Sequence, residues 1–228
     1  KESLDFVASH GQTIYHLPNP EQGHIRSTLQ IGDVSPIGYE FEVPVVFNFR
    51  MMDIVAGGEG APLVPYTEMV LYHHPEKTRL LQNIGGIGNV TILDKDASLE
   101  DVWAFDTGPG NMMMNAATEY FYQEAYDKDA QYAKQGKLID ALMDALKEDA
   151  YLKIQPPKST GREYYTKASV DAICKQYDNA NDVIHTLTVF TAYSIAQAYR
   201  DFIFNKHDVD EIIIGGGGAY NPFLIAKI

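Results

Sequence analysis

Cysteine is almost absent from these 228 residues. Cys174 stands alone, so no internal disulfide forms, and no metal-type Cys/His spacing surrounds it. That usage fits a reducing compartment. Basic residues are also scarce: 18 Lys and Arg face 31 Asp and Glu, for a formal charge of −13. A surface of that sign repels phosphate backbones and anionic lipid, which argues against nucleic acid or a membrane surface as the main partner. No run of about eighteen apolar residues offers a membrane span. Lys1 to Phe6 has neither the charged nor the apolar region of a signal peptide. A starting methionine is missing, and a strand-like run begins within a few residues, as expected of a chain cut from something longer. What is present is ordinary globular composition, 45% apolar, 21% charged and 11% aromatic, which excludes disorder and collagen-like repeats.

Residues 1 to 80 hold short strand-like pieces between turn residues, among them Ser27 to Ile31. Val43 to Phe49 reads as a buried strand, and Asp53 to Pro65 (DIVAGGEGAPLVP) as a structured loop. From Leu80 the pattern is strand, glycine turn, strand, strand: Leu80 to Ile84, Val90 to Leu93 and Val102 to Phe105. This is a β-meander opening a new sheet, so a domain boundary is expected near residue 80. Residues 110 to 205 carry helical spacing, with Asn179 to Asn205 the longest candidate. Glu211 to Ile214 is a last strand, entering four glycines and a helix. That order indicates an α/β or α+β architecture.

Three turns share one design, in which a strand delivers the chain into glycines and polar side chains follow. They are Asn83 to Thr91 (NIGGIGNVT), Asp106 to Asn111 (DTGPGN) and Gly215 to Asn221 (GGGGAYN). Bare backbone lets a phosphate or a ring approach, and successive N–H groups form an anion-binding nest. Simple turning of strands is the bland alternative for any one of them; three in one chain point to a nucleotide. The Walker pattern fails, because Gly136-Lys137 is followed by Leu138, and the Rossmann pattern fails at Tyr220.

Asp106 ends a strand beside a glycine turn, a position suited to general-base work or metal contact, although a turn-capping Asp looks the same in sequence. His10 and His16 bracket Gly11-Gln12-Thr13 and are candidates for sugar hydroxyls or for plain structure. Arg50 and Arg162 are the candidate clamps for a carboxylate or phosphate. Lys158 to Glu163 (KSTGRE) follows two prolines and suits a functional loop. Met112-Met113-Met114 reads as core filling.

Together these segments closely resemble the anhydro-N-acetylmuramic acid kinase family. The matching stretches are SHGQTIYH from Ser9, TLQIGD from Thr28, FRMMDIVAGGEGAPLVP from Phe49, QNIGGIGNVT from Gln82, FDTGPGNMMM from Phe105, PKSTGREY from Pro157 and GGGAYNP from Gly216. The resemblance implies an α/β, actin-like ATPase (ribonuclease H-like) fold of two domains, here partial, with residues 1–80 in the sugar-contacting domain and 81–228 in the phosphate and adenosine domain, and with the active site in the cleft between them. It implies ATP and Mg²⁺ as cofactors and a reaction in which water opens a 1,6-anhydro sugar while O6 takes the γ-phosphoryl group, in cytoplasmic cell-wall recycling.

On the same ground Asp106 is the expected catalytic base. Asn83, Gly85, Gly86, Gly88 and Asn89 are expected on the phosphates, and Gly215, Gly216, Gly217 and Asn221 around the adenosine. His10, Gln12, Thr13, Arg50, Gly108, Lys158 and Arg162 are expected on the sugar. The metal would be held mostly by ATP phosphates and water, so no protein metal ligand is assigned, and a homodimer is expected.

There are departures from the family pattern. Its first phosphate loop and its later helices lie outside these 228 residues, so the chain alone is expected to have little or no kinase activity. Asn48 and Asn115 stand where Asp is common, and Glu59 where Gln is. A kinase for another sugar and an inactive nucleotide-binding module are the rival readings.

Overall fold

The computed structural model describes residues 4–18, 23, 25–161 and 163–228. The chain divides into two compact units, residues 1–64 and 65–228. The division falls at Val64/Pro65 rather than near residue 80, because the helix that begins at Pro65 packs on a strand of the following sheet.

In the first unit, β1 (Val7–Ser9) pairs parallel with β4 (Val45–Phe47), and β2 (Gln12–Leu17) pairs antiparallel with β3 (Ser27–Ile31). Two short helices complete it, α1 (Ser35–Phe41) and α2 (Phe49–Val55). The buried strand expected over Val43 to Phe49 is shorter and more exposed. Asn48 takes a left-handed φ of 64°, which ends β4 and starts α2 at Phe49. The loop expected from Asp53 therefore begins only after Val55. It is held by Asp53, whose Oδ2 accepts the N–H of Gly60 at 2.6 Å.

The second unit opens with α3 (Pro65–Tyr72). A four-stranded sheet follows, made of β5 (Arg79–Ile84), β6 (Ile87–Leu93), β7 (Trp103–Pro109) and β8 (Glu211–Gly215), in the order β7-β6-β5-β8. The meander β5-β6-β7 is antiparallel, and β8 joins β5 in parallel after a long helical crossover. That crossover contains α4 (Met112–Tyr122), α5 (Asp140–Lys147), α6 (Lys167–Cys174) and α7 (Ala180–Ala198); α8 (Pro222–Ile225) follows β8. Within the stretch of helical spacing, Lys128–Ala130 and Ala133–Gln135 are instead two 3₁₀ turns, because Asp129 and Ala130 adopt positive φ.

α7 is the keystone. Asn179 caps it by accepting the N–H groups of Asn181 and Asp182, and the chain continues past Ala198 as one π-helical turn, Tyr199–Ile203. One face packs Ile195 and Ala198 on Leu80, Ile84, Val90 and Phe105 of the sheet. The other packs Val183, Leu187 and Phe190 against Met113 and Ala117 of α4 and Val170 and Cys174 of α6. A helix buried on two sides belongs in an interior, and its buried Thr186, Thr188 and Ser194 hydroxyls donate to carbonyls of the same helix. Each large apolar side chain contributes roughly 1.5–3 kcal/mol by leaving water. Burial also pushes the Cys174 thiol up to about 11, an inert core residue at neutral pH. Among the described residues no helix is long and apolar enough to cross a membrane.

Candidate active site

β5, β7 and β8 point the same way, so their carboxyl ends and the start of β6 meet at one end of the sheet. In open α/β sheets that end is where ligands bind. All three glycine turns converge there. Asn83 lies opposite Gly215 across β5 and β8, and Gly88 lies opposite both Ile84 and Gly108. The turn after β7 is tied to the β5–β6 hairpin by Gly110 N–H to Gly86 O at 2.8 Å and Asn111 N–H to Gly85 O at 2.7 Å. The Asn111 side chain donates to Ile84 O at 3.0 Å.

The glycines fall into two kinds. Gly216, at φ 80°, is required by the fold: a Cβ there would lie 2.6 Å from Asn83 Oδ1 and 2.7 Å from Ile84 O. Gly85, Gly86, Gly215 and Gly217 are not, since an added Cβ would find nothing nearer than 3.5 Å. Those four keep the backbone bare where the protein's own packing does not ask for it. Beside them lies a cavity of about 450 Å³, lined by Asn111, Tyr126, Lys128, Gly217, Tyr220 and Asn221. Asn221 Oδ1 is spent on capping α8, accepting the Phe223 and Leu224 N–H groups, so this side chain shapes the wall.

Asp106 sits at the same sheet end, opposite Asn89 on β6. The register slips between Gly88 and Asn89, making a bulge at Thr107 that re-aims the neighbouring side chains. Three bonds hold Asp106. Its N–H donates to Lys158 O at 3.1 Å, its Oδ2 accepts the Thr160 N–H at 2.9 Å, and its carbonyl accepts the Tyr151 hydroxyl at 2.8 Å. Burial pushes its carboxyl up to about 6, with a smaller upward push from Glu163, against the Thr160 N–H and the Lys158 charge. A carboxylate tuned to about 6 is ionised at neutral pH yet basic enough to accept a proton.

The other expected sugar contacts of this unit are placed differently. Lys158 is only 7% exposed. Its ammonium donates to the carbonyls of Tyr151 (3.2 Å) and Leu152 (3.4 Å) and lies over the Tyr151 and Phe202 rings. It therefore points into the interior rather than out to a substrate, and burial pushes it down to about 8. Gly108, at φ 139°, backs onto α7, where a Cβ would lie 3.1 Å from Ser194. Arg162 lies outside the described residues.

In the first unit, His10 lines a depression of about 300 Å³ with Gly11, Gln30, Asp33, Ser35 and Asn48. Gln12 donates to Thr13 O, and Thr13 Oγ1 accepts from Gln30 at 3.4 Å. Arg50 donates to Gly60 O at 2.6 Å, bracing the loop that Asp53 also holds, and partial burial lowers its pKa.

Sequence reasoning missed Tyr151 and the wall at Tyr126 to Lys128. Tyr151 is 45 positions from the carbonyl it holds. The wall is shaped by Asp127, which accepts the N–H groups of Tyr132 and Ala133 at 2.9 Å each, and nothing in the local composition announces that.

Two solved structures are similar at low identity. One is the activator of the 2-hydroxyisocaproyl-CoA dehydratase from Clostridium difficile with bound ADPNP, with 13% identity, TM-score 0.46 and coverage of 89% of this chain and 75% of that one. The other is component A of the Acidaminococcus fermentans (R)-2-hydroxyglutaryl-CoA dehydratase, with 11% identity, TM-score 0.40 and coverage of 86% and 62%. Among curated proteins, the chain is 52% identical over 229 residues to the anhydro-N-acetylmuramic acid kinase of Francisella tularensis subsp. novicida (strain U112). It is 48% identical over 229 residues to that of Bacillus cereus (strain ATCC 10987 / NRS 248). In both cases all of this chain is covered, and it spans 60% of the relative's length. The family model described as anhydro-N-acetylmuramic acid kinase matches residues 1–228, and the chain belongs to that family.

Proposed function

We propose that the protein carrying this chain is an ATP-dependent carbohydrate kinase of actin-like fold. It opens the internal bond of 1,6-anhydro-N-acetylmuramic acid with water and phosphorylates O6, giving N-acetylmuramic acid 6-phosphate for cell-wall recycling in the cytoplasm. The observation that carries this reading, beside the family, is the bare backbone of Gly85, Gly86, Gly215 and Gly217 at one sheet end, next to a carboxyl tuned to about 6.

An internal acetal presents no hydroxyl at O6. Water must attack the anomeric carbon as the C1–O6 bond breaks, and Asp106 is the group to take the water's proton. The freed O6 then bonds to the γ-phosphorus as the bond to the ADP oxygen breaks. Such a transfer asks for positioning and charge stabilisation rather than covalent help. Asn83, Gly85, Gly86, Gly88 and Asn89 would present N–H and amide donors to the phosphates. Gly215, Gly216 and Gly217 would frame the nucleoside, with Asn221 shaping the wall. Among the described residues no group of three His, Cys, Asp or Glu side chains could hold a metal. Mg²⁺ would come held mostly by nucleotide phosphates and water. His10, Gln12, Thr13, Arg50 and Arg162 are the proposed sugar contacts, and a symmetric dimer the proposed assembly.

The test is ADP release with 1,6-anhydro-N-acetylmuramic acid, with N-acetylmuramic acid, with glucose and with ATP alone, using a protein of the length of its relatives. Sugar-dependent release with the anhydro sugar alone supports the reading. Release with another sugar only, or none from a protein that binds ATP, overturns it. Residues 1–228 by themselves are expected to turn over little in the same assay.

A further inference from the structure

Lys158 is the buried charge that this mechanism does not use. Its ammonium lies among the Phe105, Tyr151 and Phe202 rings, at 6.0, 4.7 and 4.8 Å from their centroids. A cation in such surroundings is costly to keep, and an apolar side chain of similar length would fill the space without that cost. What the charge does is close a ring of hydrogen bonds. Asp106 N–H donates to Lys158 O, Lys158 Nζ donates to Tyr151 O, and the Tyr151 hydroxyl donates back to Asp106 O. Two residues along from Lys158, the Thr160 N–H reaches the Asp106 carboxylate.

We propose that Lys158 is a positioning residue for Asp106. Its buried ammonium fastens the 158–160 segment to the turn at Tyr151 and Leu152, so that Asp106 is held by its backbone at Lys158 and Tyr151 and by its carboxylate at Thr160, and it makes no contact with the sugar. This rests on Asp106 being the base, and it changes the role expected for Lys158 from substrate clamp to internal brace. The charged and titratable groups facing the pair are Glu163 and Tyr151 toward Asp106, with Asp201, Asp149 and Asp106 itself toward Lys158. Among the described residues, Lys158 is the cation facing Asp106.

The test reads the carboxyl itself. Aspartate labelled with ¹³C at the side-chain carboxyl is followed by infrared spectroscopy against pH, with the Asp106→Asn protein subtracted to isolate the Asp106 band. The wild-type midpoint should lie near 6. Lys158→Met should raise it by about half a unit or more, since it removes the neighbouring positive charge and loosens the Thr160 bond. Lys158→Arg should restore part of the shift. In turnover, Lys158→Met should lower kcat about tenfold and move the acid limb of the pH profile upward, with KM for the sugar unchanged.

Tyr151→Phe breaks the same ring without touching the charge, and it should raise the midpoint by a smaller amount. It decides the question should Lys158→Met fail to fold. An unmoved midpoint in a folded Lys158→Met protein, or in Tyr151→Phe where that variant decides, overturns the proposal. A raised KM for the sugar with unchanged kcat would return Lys158 to a substrate role. The infrared titration needs no turnover, so a shifted midpoint in a protein inactive on the anhydro sugar would leave the brace standing and remove only the reaction assigned above.

Discussion

The two units of this chain differ in how much apolar surface they bury within these 228 residues. Residues 65–228 have a four-stranded sheet backed by α7, with Phe105, Phe190, Ile195 and Leu187 essentially excluded from solvent. Residues 1–64 have two two-stranded pairings, and among the described residues Ile54 is their one buried apolar side chain. Phe6, Ile14, Phe47 and Val55 are exposed there, Val55 by 75%. Isolated two-stranded pieces are marginal in water. The glycine turns and Asp106 therefore sit on a frame that fixes their geometry in advance, as electrostatic catalysis requires. The proposed sugar contacts His10, Gln12, Thr13 and Arg50 sit on elements that bury little apolar surface within these 228 residues.

The largest effect expected from this contrast is at Asp106. Asp106→Asn should lower turnover about 10³-fold, within the span of general-base contributions, with ATP affinity unchanged by calorimetry. Stability should move the other way. Because burial raises the carboxyl from 3.8 to about 6, the folded chain binds a proton that the unfolded chain has released between those values. The stabilising contribution is complete below 3.8 and lost as pH rises through 6, at a cost of up to about 3 kcal/mol. Asp106→Asn should thus melt higher than wild type at pH 8, and by progressively less below pH 6. Equal melting at all pH values would show that the carboxyl is not buried as described.

Amide hydrogen exchange addresses the contrast itself. Amides in β5, β6 and β8 should exchange at least about 100-fold more slowly than those in β1 and β4, since opening free energies follow local burial. Matching rates would show that the first unit is as well braced as the second.

The two kinds of glycine offer a finer test. Gly216→Ala should destabilise by about 1–3 kcal/mol, through strain at positive φ and its collision with Asn83 and Ile84. Gly215→Ala should leave melting within about 0.5 kcal/mol, as changes away from packing do, yet weaken ATP binding. If both behave alike, the open space at Gly215 is not a ligand's.

Much of the second unit was legible in the sequence because its signals are local. Strand, glycine pair and strand give the β5–β6 hairpin, and Asn179 announces the start of α7. The first unit was less so. Val43 to Phe49 carries the composition of a buried strand, yet the left-handed turn at Asn48 divides it into a short strand and a helix. For the site, the residue types near the glycines were readable, but the inward turn of Lys158 was not. A lysine in a polar loop looks the same whether it faces a sugar or the rings of Tyr151 and Phe202, and only the long-range fold decides.

The most direct measurement is hydrogen exchange of the protein with and without ATP and Mg²⁺, read at the three glycine turns. Asn83–Asn89, Gly108–Met112 and Gly215–Asn221 should gain protection together at one nucleotide concentration. Protection confined to one turn, or appearing at the opposite end of the sheet around Asp94 and His207, would contradict it.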